Sequence, residues 1–470
     1  MAGRFLSLFG PLSRFLPEIS SPTRKVSFNE KLFWTAMALI IYLVMSEVSL
    51  FNVTGGIGNQ AIQIIFASTQ GKLTALGIGP IVTGGLILQL LIGSGIVNAD
   101  LGNPEDRSLF TAATKVFAIV LTGVQASAYL IGGVYGPDVG LVTALIVFVQ
   151  LIIAGIVLML LDEMMQKGWG IGSGISLFIL AGVAQGIMWS SFSPFGPLSD
   201  GKLQGAFIAL AQTLFNGENI ANAFLRVTPE GVLTGDPSMM GFLTTVIVFV
   251  IVIYMEGIRV ELPIAHANYR GFRGKYPIKL LYVSNLPVIF ASALFANVQV
   301  LGMLIYGQFG ADNILVQILG TFDGQTATGG LAYFVTAPRS LGAVADDPVR
   351  ALIFVGIMVT FAIIFSITWL EVGGLGPSTV AKQLVDSGMQ IPGFRRSGKS
   401  IEIILKRYIP VVTILGGAII GLVASVSEFF GVFGSGMGVL LAVGILYQYY
   451  QLLVQEQVAE MYPAFGRVLG

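Results

Sequence analysis

The sequence predicts an all-α integral membrane protein with ten transmembrane helices arranged as two inverted halves of five. Three observations carry that expectation. The 470-residue chain is 54% hydrophobic and only 11% charged, against about 25% charge in soluble proteins. Its apolar residues fall into long stretches, and a bilayer span needs about 20 of them. Proline opens two of those stretches at matching places, at Pro80 and Pro287. The 25 basic and 25 acidic residues cancel, so net charge names no partner. With no cysteine and one histidine, His266, the chain lacks the groups for a thiol nucleophile, a Cys or His metal cluster or a His-based triad, and no cofactor is expected.

Taken in order, residues 1–30 combine Phe5, Leu6, Leu8 and Phe9 with Arg4, Arg14, Arg24 and Lys25, the pattern of an interfacial amphipathic segment. They lack the compact apolar core and small-residue site of a cleavable signal. Spans are expected at about 32–51, 76–97, 109–133, 138–161 and 171–192, making an N-terminal half over 31–193. Residues 194–239 read as a polar connection. Five more spans, at about 240–258, 281–306, 350–371, 409–430 and 437–456, place the second half at 240–470. The run Ala61-Ile62-Gln63-Ile64-Ile65-Phe66 is too short to cross and suits a re-entrant half-helix.

Orientation follows from the excess of basic residues in cytoplasmic loops. With the N-terminus inside, twenty of the basic residues fall on one face and five on the other. Both termini are then cytoplasmic, and charge concentrates in two inside loops, about 259–280 and 373–408. An odd number of spans per half forces the halves into opposite orientations. Interrupted helices at matching places in inverted halves point to a path at their interface, whereas taken singly each proline could equally be an ordinary helix start.

Mid-span polar groups are mainly neutral: Thr83, Gln89, Gln125, Gln150, Asn297 and Gln299. Such groups bond across helices, either as glue or as a seam able to open. The acidic residues Glu47, Asp162, Glu163, Glu256, Glu371 and Glu428 sit near span ends, unlike the mid-membrane ionisable pairs of ion-coupled carriers. An inverted-repeat secondary transporter of small solutes is the alternative, and it predicts such a pair. An enzyme is not expected. Gly434-Ser435-Gly436-Met437-Gly438 looks like part of a phosphate loop, but no strand precedes it.

Three motifs carry a family resemblance. They are Leu76-Gly77-Ile78-Gly79-Pro80-Ile81-Val82-Thr83-Gly84-Gly85 with Gln89-Leu90-Leu91; Leu161-Asp162-Glu163 with Gly170-Ile171-Gly172-Ser173-Gly174-Ile175-Ser176; and Ala267-Asn268-Tyr269-Arg270-Gly271 with Tyr276-Pro277-Ile278-Lys279 and Ser284-Asn285-Leu286-Pro287. Together they resemble the SecY family, the central subunit of the protein-translocation channel, in its archaeal form, over almost the whole chain. The resemblance implies a channel in the cell membrane that passes unfolded secretory polypeptides and releases membrane-protein helices through a lateral gate. It implies two halves around a central pore, with a plug half-helix at about 58–68 carrying Gln60, Ile62, Ile65 and Phe66. The pore ring would comprise Ile78, Val82, Ile175, Ile179, Ile289 and Leu441, with Leu440 as an alternative to the last.

The lateral gate would carry Thr83, Gln125 and Asn297. Ribosomal RNA would meet Arg270, Arg273, Lys275, Arg395, Arg396 and Lys399. The implied partners are a single-span SecE/gamma subunit, a small beta subunit, the ribosome, signal sequences and nascent polypeptides, and membrane lipid. Independently of the family, Ile78/Val82 and Ile175/Ile179 are i,i+4 pairs that each put two branched side chains on one helix face.

Overall fold

The computed structural model describes residues 4–461 apart from 8, 14–15, 54–67, 70, 94–95, 98–103, 133, 136–139, 199, 229–232, 267–272, 284–285, 311–312, 324–325 and 391–397. Ten apolar helices dominate: α1 Phe28–Glu47, α2 Gly79–Gly93, α3 Pro104–Ile131, α4 Leu141–Gln166, α5 Gly174–Phe192, α6 Met239–Gly257, α7 Leu286–Phe309, α8 Pro348–Val372, α9 Gly398–Phe429 and α10 Gly436–Met461. Among the described residues nine are long and apolar enough to cross a bilayer; α2 is the shorter one. Its 15 residues rise only about 22 Å, short of a hydrocarbon layer of about 30 Å.

The reason lies at its start. Gly77 adopts a left-handed φ of 53°, which ends any helix running in from residue 71. Pro80 then occupies the second helical position, where no amide donor is needed. Pro287 holds the same place in α7.

Other ends are set by capping. Ser27 and Glu30 form a reciprocal capping box at α1, and Asp347 Oδ1 accepts from the Arg350 amide at 3.0 Å to open α8. α9 starts eleven residues before the expected span. Its 32 residues extend about 48 Å, and its first turns carry Lys399, Glu402, Lys406 and Arg407, which belong outside hydrocarbon.

Two apolar cores reflect the two halves. One joins α1, α4, α5 and residues from α2; the other joins α6, α7, α8 and α9. α10 is the shared wall, with Leu440 and Val443 in the second core and Leu441, Ala442 and Ile445 in the first. α8 and α9 lie especially close. A Cβ on Gly421 would sit 2.9 Å from the Val359 Cα, and one on Gly417 would sit 2.5 Å from the Ser366 hydroxyl. No larger residue fits there without parting the helices.

The two basic loops contain regular structure. β1 Arg259–His266 pairs antiparallel with β2 Arg273–Lys279 in register Arg259↔Lys279 to Ala265↔Arg273. β5 Met389–Gln390, from the second basic loop, adds to β1 through Ala265↔Gln390 and His266↔Met389, so the two basic loops share one sheet. β3 Phe322–Asp323 and β4 Thr326–Ala327 form a small hairpin in the connection before α8.

The 194–239 connection is folded. Its helix Ala206–Phe215 packs on the outer ends of α5 and α6 through stacked Phe192–Phe207 rings 5.2 Å apart and a Phe207–Phe242 pair at 4.9 Å. Arg226, with a side chain 0% exposed, binds Asp200 at 2.6 and 2.7 Å. It also donates to the carbonyls of Gln204 and Pro237, both at 3.2 Å.

Candidate functional site

The site begins where the glycine-rich 170–174 turn leads into α5. Asp162, at the end of α4, accepts from the Ile175 amide at 3.0 Å, Ser173 Oγ at 3.2 Å and Gln166 Nε2 at 2.7 Å. A Cβ on Gly174 would lie 2.7 Å from the Asp162 Cα, so the motif lets α4 approach the first turn of α5. That contact fixes where Ile175 and Ile179 point. On α2, Ile78 immediately precedes the helix, and its carbonyl accepts from the Val82 amide at 3.0 Å. The two side chains therefore keep the expected i,i+4 relation.

The structure brings Ile78, Val82, Ile175, Ile179, Ile289 and Leu441 into one apolar cluster. Leu440, the alternative, lies in the neighbouring core. Ile78, Ile179 and Leu441 are buried; Val82, Ile175 and Ile289 are half-buried. Val82, Ile175, Ile179 and Ile289 also line a cavity of about 550 Å³.

The lining of that cavity also carries Lys115, Asp162, Glu163, Gln166 and Lys167. Glu163 pairs with Lys115 at 2.5 Å and Lys167 at 2.9 Å, and Lys167 reaches Glu18 at 2.5 Å. The hydrogen bond from Lys167 and the charge of Lys115 hold the Glu18 carboxyl below its usual range. The knot ties the N-terminal segment to α3 and α4. Farther along that segment, Leu6 is buried against Leu88 and Ala113.

No group of three or more metal-ligating side chains occurs among the described residues.

Thr83, Gln125 and Asn297 meet across α2, α3 and α7. Gln125 Nε2 donates to Asn297 Oδ1 at 3.3 Å, while Asn297 Nδ2 donates to Thr83 Oγ1 at 3.3 Å and to the Ala293 carbonyl at 2.8 Å. Gln60, Ile62, Ile65 and Phe66 lie outside the described residues. The roots of that segment are tied to one another: the Leu50 amide donates to the Gly71 carbonyl and the Leu73 amide to the Val48 carbonyl, both at 2.9 Å.

Arg270, Arg395 and Arg396 also lie outside the described residues. Arg273 opens β2, and Lys399 is exposed in the first turn of α9. Lys275 is exposed, though paired with Glu261 at 2.5 Å.

Sequence reasoning did not single out Leu86, Phe290 and Trp369, which line the cavity beside Ile289. Each reads as one apolar residue among many within its span. It named Lys279 only within a motif and not for its contact: the ammonium stands 5.0 Å from the Tyr447 ring centre and joins the base of the hairpin to α10.

The SecY family model matches residues 72–450. The chain belongs to the SecY family. It is 40% identical to the protein translocase subunit SecY of Pyrococcus furiosus, with 98% of each chain covered. A solved structure described as a protein-conducting channel superposes with a TM-score of 0.82 at 39% identity, covering 97% of this chain and 98% of that one. Sec61 in the canine ribosome-channel complex from the endoplasmic reticulum gives 0.80 at 37% identity, covering 97% and 98%.

This SecY-family chain is accordingly a multi-pass membrane protein and the central subunit of a protein-conducting channel. The family is a channel rather than a class of catalytic enzymes. The small-solute transporter reading is set aside.

Proposed function

We propose that unfolded polypeptide passes through the apolar waist at Ile78, Val82, Ile175, Ile179, Ile289 and Leu441, and that apolar helices leave sideways at Thr83, Gln125 and Asn297. The convergence of six branched side chains from the α2, α5, α7 and α10 segments in one apolar cluster, four of them lining one cavity, carries this reading. Aliphatic side chains adapt around a sliding chain without binding it, while the closed ring keeps ions out. The seam suits a gate because its hydrogen bonds are neutral, worth about 0.6 kcal/mol each in membranes. A signal helix burying apolar surface at about 25 cal/mol per Å² offsets several of them.

The same reading places the protein in the cell membrane with both termini cytoplasmic, and seats Gln60, Ile62, Ile65 and Phe66 as a plug. It assigns a SecE/gamma subunit and a small beta subunit as partners. Photo-crosslinkers at 289 and 297 test it with a stalled secretory chain. The mature chain should link to 289 and the signal helix to 297; absence of both adducts from a chain that is otherwise engaged rejects the path.

The shared sheet of the two basic loops supports docking of ribosomal RNA by Arg270, Arg273, Lys275, Arg395, Arg396 and Lys399, and the canine relative was solved with a ribosome. Phosphate contacts make such binding salt-dependent. Changing Arg395→Glu and Arg396→Glu together should weaken ribosome co-sedimentation and flatten its salt dependence, with insertion topology unaltered. Equal binding by the variant excludes these two residues from the contact.

A further inference from the structure

We propose that the 194–239 connection rests on lipid, with Leu214, Phe215, Ile220 and Phe224 seated in the headgroup region of the leaflet on the non-cytoplasmic side. The helix Ala206–Phe215 contains no charged residue. One face, Ala206, Ala209 and Thr213, is buried against the protein. Beyond it Leu214, Phe215, Ile220 and Phe224 are all exposed, Phe215 to 90%. Ten residues rise about 15 Å, too little to cross, so the helix can lie in the interface but not span it.

Two further observations point to lipid. First, the connection's described charges are paired or recessed, and Glu218 alone among them is exposed. Asp200 is buried with Arg226, and Lys202 binds Glu218 at 2.7 Å and Thr213 Oγ1 at 2.8 Å. Asp236 lines a separate polar recess with Arg339 and Glu428. Second, the patch continues the lipid-facing side of α5. Trp189 and Phe192 are exposed in its last turn, and Phe195 just beyond is exposed and packs edge-on to Trp189 at 5.5 Å. Aromatic residues in that position mark the level of the interface. The aromatic pairs Phe192–Phe207 and Phe207–Phe242 then hold the helix Ala206–Phe215 at that same level.

The chain has no cysteine, so single labels are unambiguous. Phe215→Cys and, separately, Ile220→Cys are labelled with an environment-sensitive fluorophore in the full channel complex, reconstituted in phospholipid vesicles. Asn216→Cys serves as a water-side control. Quenching by nitroxide attached near the lipid headgroup should be severalfold stronger at 215 and 220 than at 216, with the reverse order for aqueous iodide. Equal iodide access at all three positions overturns the proposal. Shielding of 215 and 220 from both quenchers also overturns it, and would mark a contact with another subunit. Both replaced side chains are exposed, and unchanged thermal unfolding of the labelled proteins verifies the fold.

Discussion

Ile289→Asn should make the resting channel leak. Ile289 packs with Ile78, Val82, Ile175, Ile179 and Leu441 while facing the cavity. Replacing its buried aliphatic carbons with an amide lowers the cost of wetting the waist by about 1.5–3 kcal/mol. Carried into the barrier for ions, that corresponds to roughly ten- to hundredfold more flux. Anion efflux from vesicles containing the purified complex reads this directly. The half-buried position leaves room for the amide, so insertion and thermal stability should stay near the parent. A variant that inserts normally and remains as tight as the parent would remove Ile289 from the seal.

Asp200→Ala should be the most destabilising single change outside the membrane. It leaves the Arg226 guanidinium enclosed, with two carbonyls but no counter-charge. Breaking a buried ion pair from one side costs about 3–5 kcal/mol. The double change Asp200→Ala with Arg226→Met should recover most of that loss, because no charge then remains to be solvated.

Acid should reveal the same pair. Burial pushes the Asp200 carboxyl up, but hydrogen bonds and charge from Arg226 outweigh it, and the net shift is downward. Its stabilisation is therefore complete above the ordinary carboxylate value of about 3.9 and is lost as pH falls through the lower folded-state value. Thermal unfolding between neutral pH and pH 3 should show a decline in the parent that the double variant lacks. Identical slopes would assign acid sensitivity to other carboxylates.

The spans were legible because lipid imposes a single demand, length of apolar sequence, which local composition reports. Where that demand stops, so did legibility. α9 reads as starting at 409 because Lys399, Glu402, Lys406 and Arg407 lower the hydropathy of a helix that continues into water. The 194–239 connection reads as polar because its organising pair, Asp200 and Arg226, is separated by 26 residues.

The alternation Val260-Glu261-Leu262-Pro263-Ile264 is a strand signal, but Pro263 and Pro277 obscure it, since proline favours edges and bulges. The meeting of Thr83, Gln125 and Asn297 could not be read from spacing at all. Motif resemblance singled them out, and only the tertiary arrangement puts Gln125 and Thr83 each 3.3 Å from Asn297. The rotation of α10, which sends the adjacent Leu440 and Leu441 into different cores, was likewise not legible in the sequence.

The glycine-mediated closeness of α8 and α9 has a mechanical corollary. Backbones that nearly touch along Gly417 and Gly421 leave little freedom to slide, so the pair behaves as a rigid jamb. On the proposed path the frame yields where α2 and α3 meet α7, fastened by a few weak amide and hydroxyl latches. Strength on one side and looseness on the other give a passing helix a single direction of exit, chosen before any passenger arrives.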